Sequence, residues 1–185
     1  MIILASKSPR RKELLSLITK DFRIIPAKGE EIADKSLPTD LFVTALAENK
    51  AKEIAALYPD DIVIGADTVV AAKGEILGKP RYAEDAKRML TLLSGTEHGV
   101  YTGVCVINKG EVYTFCEETR VRFFELSEEE IDDYIATGEP FDKAGAYGIQ
   151  DYGALLVEGI DGDYYNVMGL PVGKLNRLLR EINVI

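Results

Sequence analysis

Four basic side chains fall within six positions in the segment Ser6-Lys7-Ser8-Pro9-Arg10-Arg11-Lys12. Ser8 is placed to cap a helix whose first residue is Pro9. A helix N-terminus already carries partial positive charge, so cations gathered there are unfavourable unless an anion joins them. Backbone N–H groups, serine hydroxyls and guanidinium forks together suit a phosphate chain. A solvated basic turn is the plainer alternative. Asp67 follows the apolar run Ile62–Ala66, at what reads as the end of a buried strand. A carboxylate there can ligate a metal, act as a general base, or cap the next turn.

Lys50 shares a helical stripe with Phe42, Leu46 and Ile54. Lysine on an apolar stripe either snorkels to water or aims its charge at a ligand. Lys79, in Gly78-Lys79-Pro80, is open to the same two readings. Glu30-Glu31 is a solvated patch or, with Asp67, part of a site for a hard divalent cation, since Mg²⁺ takes few carboxylates plus phosphate oxygens. The segment from Phe141 to Gln150 is rich in small residues, which let a backbone approach a ligand closely. The Gln150 amide could offer a donor and an acceptor to a base edge. His98 is the single histidine and reads as a polar strand residue, so a histidine triad or multi-histidine zinc site is excluded.

The elements that must position these residues follow from periodicity. Ile2–Ala5 reads as a short buried strand, followed by a helix with Leu14, Leu15, Leu17 and Ile18 on its apolar face. Phe22–Ala27 is a strand, and Thr39 or Asp40 opens a helix reaching about Leu57. Ile62–Ala66 is a strand buried on both faces, with Val69–Ala72 as an extension towards a turn at Lys73-Gly74. Glu84 to Leu93 is helical and stops at Ser94-Gly95. Residues 99–107 and 111–124 alternate as a long hairpin. Ser127 to Glu130 forms a capping box, with Leu126 and Ile131 as its hydrophobic staple and Gly138 as the helix end. Residues 138–153 show no periodicity, Ala154–Val157 reads as a strand, and a last helix from Pro171 buries Leu175, Leu178, Leu179 and Ile182. Interleaved strands and helices with one antiparallel hairpin predict an α/β protein with a mixed sheet flanked by helices.

The chain has 185 residues, which predicts a single domain, with room for two lobes around a central cleft. Net charge is −9, from 22 basic and 31 acidic residues, which argues against a nucleic-acid partner. No run approaches a membrane span, and the apolar N-terminus is too short for a signal peptide, so the expected location is cytoplasmic. Cys105 and Cys116 lie on either side of the Asn108-Lys109-Gly110 turn, out of register for pairing, and read as reduced thiols.

Several segments together resemble the Maf family of nucleoside triphosphate pyrophosphatases, whose fold is similar to that of inosine triphosphate pyrophosphatases. They are residues 5–11 (Ala-Ser-Lys-Ser-Pro-Arg-Arg), Glu48-Asn-Lys-Ala51, Gly65-Ala-Asp-Thr-Val-Val70, Gly78-Lys-Pro80, residues 142–150, and residues 162–171. Ser94-Gly95, His98 and Thr102-Gly103 fit as well. The resemblance implies cleavage of the α–β phosphoanhydride bond, releasing a monophosphate and pyrophosphate. It maps the catalytic acid onto Asp67, phosphate and substrate contacts onto Ser6, Arg10, Arg11, Lys50 and Lys79, and a second acidic position onto Glu31. Arg10, Thr68 and Gln150 match the branch that takes dTTP and UTP. Mg²⁺ or Mn²⁺ held by Glu31 and Asp67, and a homodimer, are further implications. The competing readings are a pyrophosphatase for 7-methyl-GTP or a modified pyrimidine nucleotide, and a non-enzymatic regulator of septum formation and cell division.

Overall fold

A computed structural model describes residues 1–29 and 32–185. The chain divides into two compact units: Met1–Asp67 with Thr102–Glu117 and Gly169–Ile185, and Thr68–Tyr101 with Glu118–Met168. The strands are β1 (Ile2–Leu4), β2 (Phe22–Ile24), β3 (Ile62–Ala72), β4 (Glu75–Leu77), β5 (Glu97–Asn108), β6 (Glu111–Phe123) and β7 (Val157–Asp161). They form one mixed sheet in the order β2-β1-β3-β5-β6-β7, with β4 paired to β3. The α/β class and mixed sheet expected from the sequence are therefore observed.

In the first unit β1 lies parallel to both β2 and β3, with Leu4 opposite Ile24 and Ile64. Helix α1 (Pro9–Leu15) starts as expected: the Ser8 side chain accepts from Arg11 N–H, and proline occupies its first turn. Leu14 and Leu15 are buried, each worth about 1.5–3 kcal/mol relative to exposure. The helix closes one turn earlier than expected, so Leu17 falls in the following turn and stays exposed.

Helix α2 (Thr39–Leu57) buries Phe42, Val43, Leu46, Ala47, Ala51 and Ile54. Glycine decides how closely it lies on the sheet. A Cβ on Gly65 would sit 2.3 Å from the Ala47 carbonyl, and one on Gly103 would sit 2.6 Å from that of Val43. Alanines facing glycines bring helix and strand backbones together. Cys105 is buried in the same core, and burial pushes its thiol up to about 12. Neither cysteine is in a disulfide; Cys116 is only half-buried.

In the second unit the later half of β3 pairs antiparallel with β4, Val70 facing Leu77. Helix α3 (Ala83–Leu93) buries Ala86, Met89, Leu90 and Leu93, a helical spacing. The turn between β5 and β6, which belongs to the first unit, is Lys109-Gly110, both at positive φ (50° and 85°), which suits a two-residue hairpin connection. Helix α4 (Glu128–Ala136) carries the expected capping box: Ser127 N–H donates to Glu130 Oε2 at 2.7 Å, and Glu130 N–H to Ser127 Oγ at 3.2 Å.

Three sequence expectations shift. Residues 62–72 form one unbroken strand, so Asp67 sits in mid-strand rather than at a strand end. The strand expected at Ala154–Val157 begins only at Val157; Asp151–Leu156 winds into a 3₁₀ turn that leaves Leu155 exposed. Helix α5 (Tyr164–Met168), not expected from the sequence, precedes the last helix α6 (Val172–Glu181). No helix among the described residues is long and apolar enough to cross a membrane.

Candidate active site

The basic turn is organised by one hydroxyl. Ser6 is buried, and its Oγ accepts from Ser8 N–H at 3.2 Å and from Arg11 Nη1 at 3.3 Å. Arg11 Nε donates to the Gly169 carbonyl at 2.7 Å, fastening α1 to the segment that leads into α6. A guanidinium has five N–H donors in a fixed fork, and these two protein bonds set its orientation. Arg10 is half-buried on the same helix.

Lys50 settles the choice posed by its apolar stripe. Phe42, Leu46 and Ile54 are buried, and the lysine Nζ reaches Asp67 Oδ1 at 2.9 Å. Both side chains are largely shielded, at 16% and 13% exposure, so solvent screens this pair far less than a surface salt bridge. The close approach of α2 to β3 at Gly65 sets the reach: two residues beyond that contact, Asp67 meets a lysine one turn beyond Ala47. Asp67 and Thr68 are the half-buried step in a strand otherwise buried on either side.

Helix α2 also anchors the chain around the expected second acid. Glu53 accepts from Lys28 and Gly29 N–H at 2.7 and 2.9 Å, and these bonds hold its carboxyl below its ordinary range. Asn49 donates to the Ile32 carbonyl at 2.8 Å. Glu30 and Glu31 themselves lie outside the described residues. Among those described, no three His, Cys, Asp or Glu side chains gather into a metal cage.

The remaining expected residues belong to the second unit. Thr68 is half-buried on β3, Lys79 is exposed just after β4, and Gln150 is half-buried at the end of the glycine-rich segment. Gly145 N–H donates to the Gly78 carbonyl at 3.1 Å, which ties that segment to the turn carrying Lys79. A Cβ on Gly145, at φ 70°, would meet Val70 at 2.7 Å, so only glycine fits.

Sequence reading missed the framework of this segment. Glu139 accepts from Tyr152 and Gly153 N–H, each at 3.2 Å, closing the segment end to end. Tyr134 Oη accepts from Gly148 N–H at 3.2 Å. Lys143 turns back onto the Glu139 carbonyl at 2.8 Å and Asp142 at 2.8 Å. His98 is a strand residue as expected, on β5, and it is buried against Tyr147 and Phe123. Asn166, in the segment 162–171, donates to the Val100 carbonyl and Thr119 Oγ1, each at 3.0 Å, fixing α5. A glycine-rich stretch with tyrosines inside it was the available signal for such a scaffold.

Curated relatives in Bacillus cereus and Bacillus cytotoxicus, both named dTTP/UTP pyrophosphatase, are each 53% identical, over 184 and 182 residues. Those alignments cover 99% and 98% of this chain, and 96% and 95% of the relatives. Among solved structures, a nucleoside-triphosphatase described as a dITP/XTP pyrophosphatase from Mycobacterium abscessus aligns with a TM-score of 0.47 at 12% identity, covering 98% of this chain and 97% of that one. The Ham1 protein of Staphylococcus aureus aligns with a TM-score of 0.47 at 19% identity, covering 66% and 71%. A family profile described as Maf-like protein matches residues 1–182, and the chain belongs to that family.

Proposed function

We propose that this protein is a nucleoside triphosphate pyrophosphatase that hydrolyses dTTP and UTP, with modified pyrimidine nucleotides as further substrates, to the monophosphate and pyrophosphate. The observation that carries it is the shielded Lys50–Asp67 pair at 2.9 Å, in the same unit as the Ser6-oriented guanidinium of Arg11. The relatives named dTTP/UTP pyrophosphatase support the choice of substrate.

In this reading Arg10, Arg11, Lys50 and Lys79 spread the charge of the triphosphate and of the pyrophosphate leaving group as it forms. Ser6 orients Arg11 and takes part in phosphate binding. Asp67 orients the attacking water and receives its proton. Water oxygen bonds to the α-phosphorus, the α–β bridging bond breaks, and its electron pair leaves with pyrophosphate. Lys50 holds the Asp67 carboxylate in one orientation throughout.

Hard carboxylate oxygens suit Mg²⁺ or Mn²⁺, and a Mg²⁺ site of one or two carboxylates is completed by phosphate oxygens and water. Asp67 and Glu31 would hold that ion, which would neutralise phosphate charge. Gln150, with Thr68, reads the imide edge of thymine or uracil, and purines are rejected by size and by unpaired polar groups. The protein works as a homodimer in the cytoplasm; a reducing compartment suits two cysteines that form no disulfide.

A pyrophosphate-release screen tests this reading. Canonical and modified nucleotides are compared with Mg²⁺ and with EDTA, and the products are resolved. dTTP and UTP should lead, with pyrophosphate as the only phosphorus product besides the monophosphate. Release of orthophosphate, or a preference for 7-methyl-GTP, would overturn it.

A further inference from the structure

His98 is 3% exposed on β5, and its Nε2 lies 2.7 Å from Tyr147 Oη. The ring packs edge-on against Phe123 and Tyr147, with centroids 5.0 and 5.4 Å away, and those two rings pack edge-on at 4.6 Å. Nδ1 finds no hydrogen-bond partner among the described residues. A neutral imidazole shares one proton with the tyrosine, whereas an imidazolium would bury an unmatched charge. Burial accordingly pushes His98 down to about 4, so the pair stays neutral at physiological pH.

Tyr147 stands three residues before Gln150 and is itself buried. The backbone around it is held on several sides: Gly145 by Gly78, Gly148 by Tyr134, and Tyr152 and Gly153 by Glu139. Two non-glycine residues at positive φ, Ala146 at 64° and Asp151 at 54°, bracket the stretch 147–150. Such backbone persists only where its surroundings over-determine it, and it gathers at functional sites. The histidine makes a polar contact with Tyr147, the one aromatic side chain inside this bracket.

We infer that His98 is a positioning residue: through Tyr147 it fixes the backbone that presents Gln150, and so sets base discrimination without touching the nucleotide. This rests on the reading of Gln150 given above. A site that reads hydrogen bonds loses most when its reader shifts, and a misplacement of about 1 Å can cost roughly 10²-fold in rate.

The test is the ratio of kcat/KM for dTTP to that for dCTP, whose exocyclic amino group reverses part of the imide edge. Tyr147→Phe removes only the hydroxyl; His98→Ala removes the ring; His98→Gln returns an amide nitrogen near the position of Nε2. Gln150→Ala is the control for the parent reading, and thermal melts report folding. We expect Tyr147→Phe and His98→Ala to lower the ratio about tenfold through dTTP, with dCTP turnover little changed. His98→Gln should recover part of it. A purely structural role would lower both substrates alike and leave the ratio fixed. If Gln150→Ala collapses the ratio while Tyr147→Phe and His98→Ala leave it unchanged, the reading of Gln150 stands and this inference is overturned. If Gln150→Ala leaves the ratio at its wild-type value, the reading of Gln150 fails and this inference with it. Should His98→Ala not fold, Tyr147→Phe decides alone.

Discussion

The two units hold their candidate functional residues by opposite means. In the first, charge holds charge: Lys50 pairs with Asp67, and Arg11 is steered by a hydroxyl and a carbonyl. In the second, hydrogen bonds and packed rings hold backbone: His98, Tyr134 and Tyr147 meet one another or main-chain atoms, and the Glu139 carboxylate accepts two main-chain N–H groups, around the segment carrying Gln150. Phosphate recognition needs concentrated charge that stays put, and a shielded ion pair supplies orientation at the cost of partial desolvation. Base recognition needs a fixed backbone, which packed rings and hydrogen bonds to the main chain provide. The same chain solves an electrostatic problem and a positional one with different materials.

Asp67→Asn should break the first mode most severely. We expect turnover to fall by roughly 10²–10⁴-fold, the range of a lost general base, with melting temperature near wild type. Near-normal pyrophosphate release from that variant would remove Asp67 from the chemistry. The second mode predicts a pH effect on stability. His98 takes a proton near its ordinary 6.5 when unfolded but only at about 4 when folded, so the unfolded chain binds more protons in that window. Stability is therefore full above pH 6.5 and falls as pH drops towards 4, by about 3 kcal/mol in all from this residue. Urea titrations of wild type and His98→Gln between pH 7.5 and 4.5 should diverge over that window; parallel curves would contradict the assignment.

Gly65→Ala sharpens the comparison from the backbone side. The added methyl meets the Ala47 carbonyl, so α2 must move and carry Lys50 away from Asp67. We expect a loss of about 1–3 kcal/mol in urea, with a fall in kcat for every nucleotide alike. The smallest effect belongs to Tyr134→Phe, which strips Gly148 N–H of its acceptor. About 1 kcal/mol of stability should be lost, visible as a lower urea midpoint, with the first unit's charge pairs untouched.

Much of the fold is legible in the residues because its determinants are local. The Ser8 cap, the capping box from Ser127 to Glu130 and the Lys109-Gly110 turn each involve groups within about three residues of one another, and each formed as read. The 3₁₀ turn at Asp151–Leu156 escaped because a short apolar run has no period of its own to separate strand from turn. Asp67 was misjudged as a strand end because its polarity, with Thr68, interrupts the apolar run, although the backbone continues unbroken through both.

By itself, then, the sequence determined which side chains are available, which helices and strands they ride on, and where those elements start and stop, since neighbouring backbone and side-chain groups decide these things. Only tertiary structure decided which of them meet. Lys50 finds Asp67 17 residues away, His98 finds Tyr147 across 49, and Arg11 finds Gly169 across 158. Such pairings depend on how closely α2 packs on the sheet and how the glycine-rich segment folds back on its unit. Glycine and alanine mark those contacts in the residues only as small side chains; close packing is what turns them into a fixed geometry.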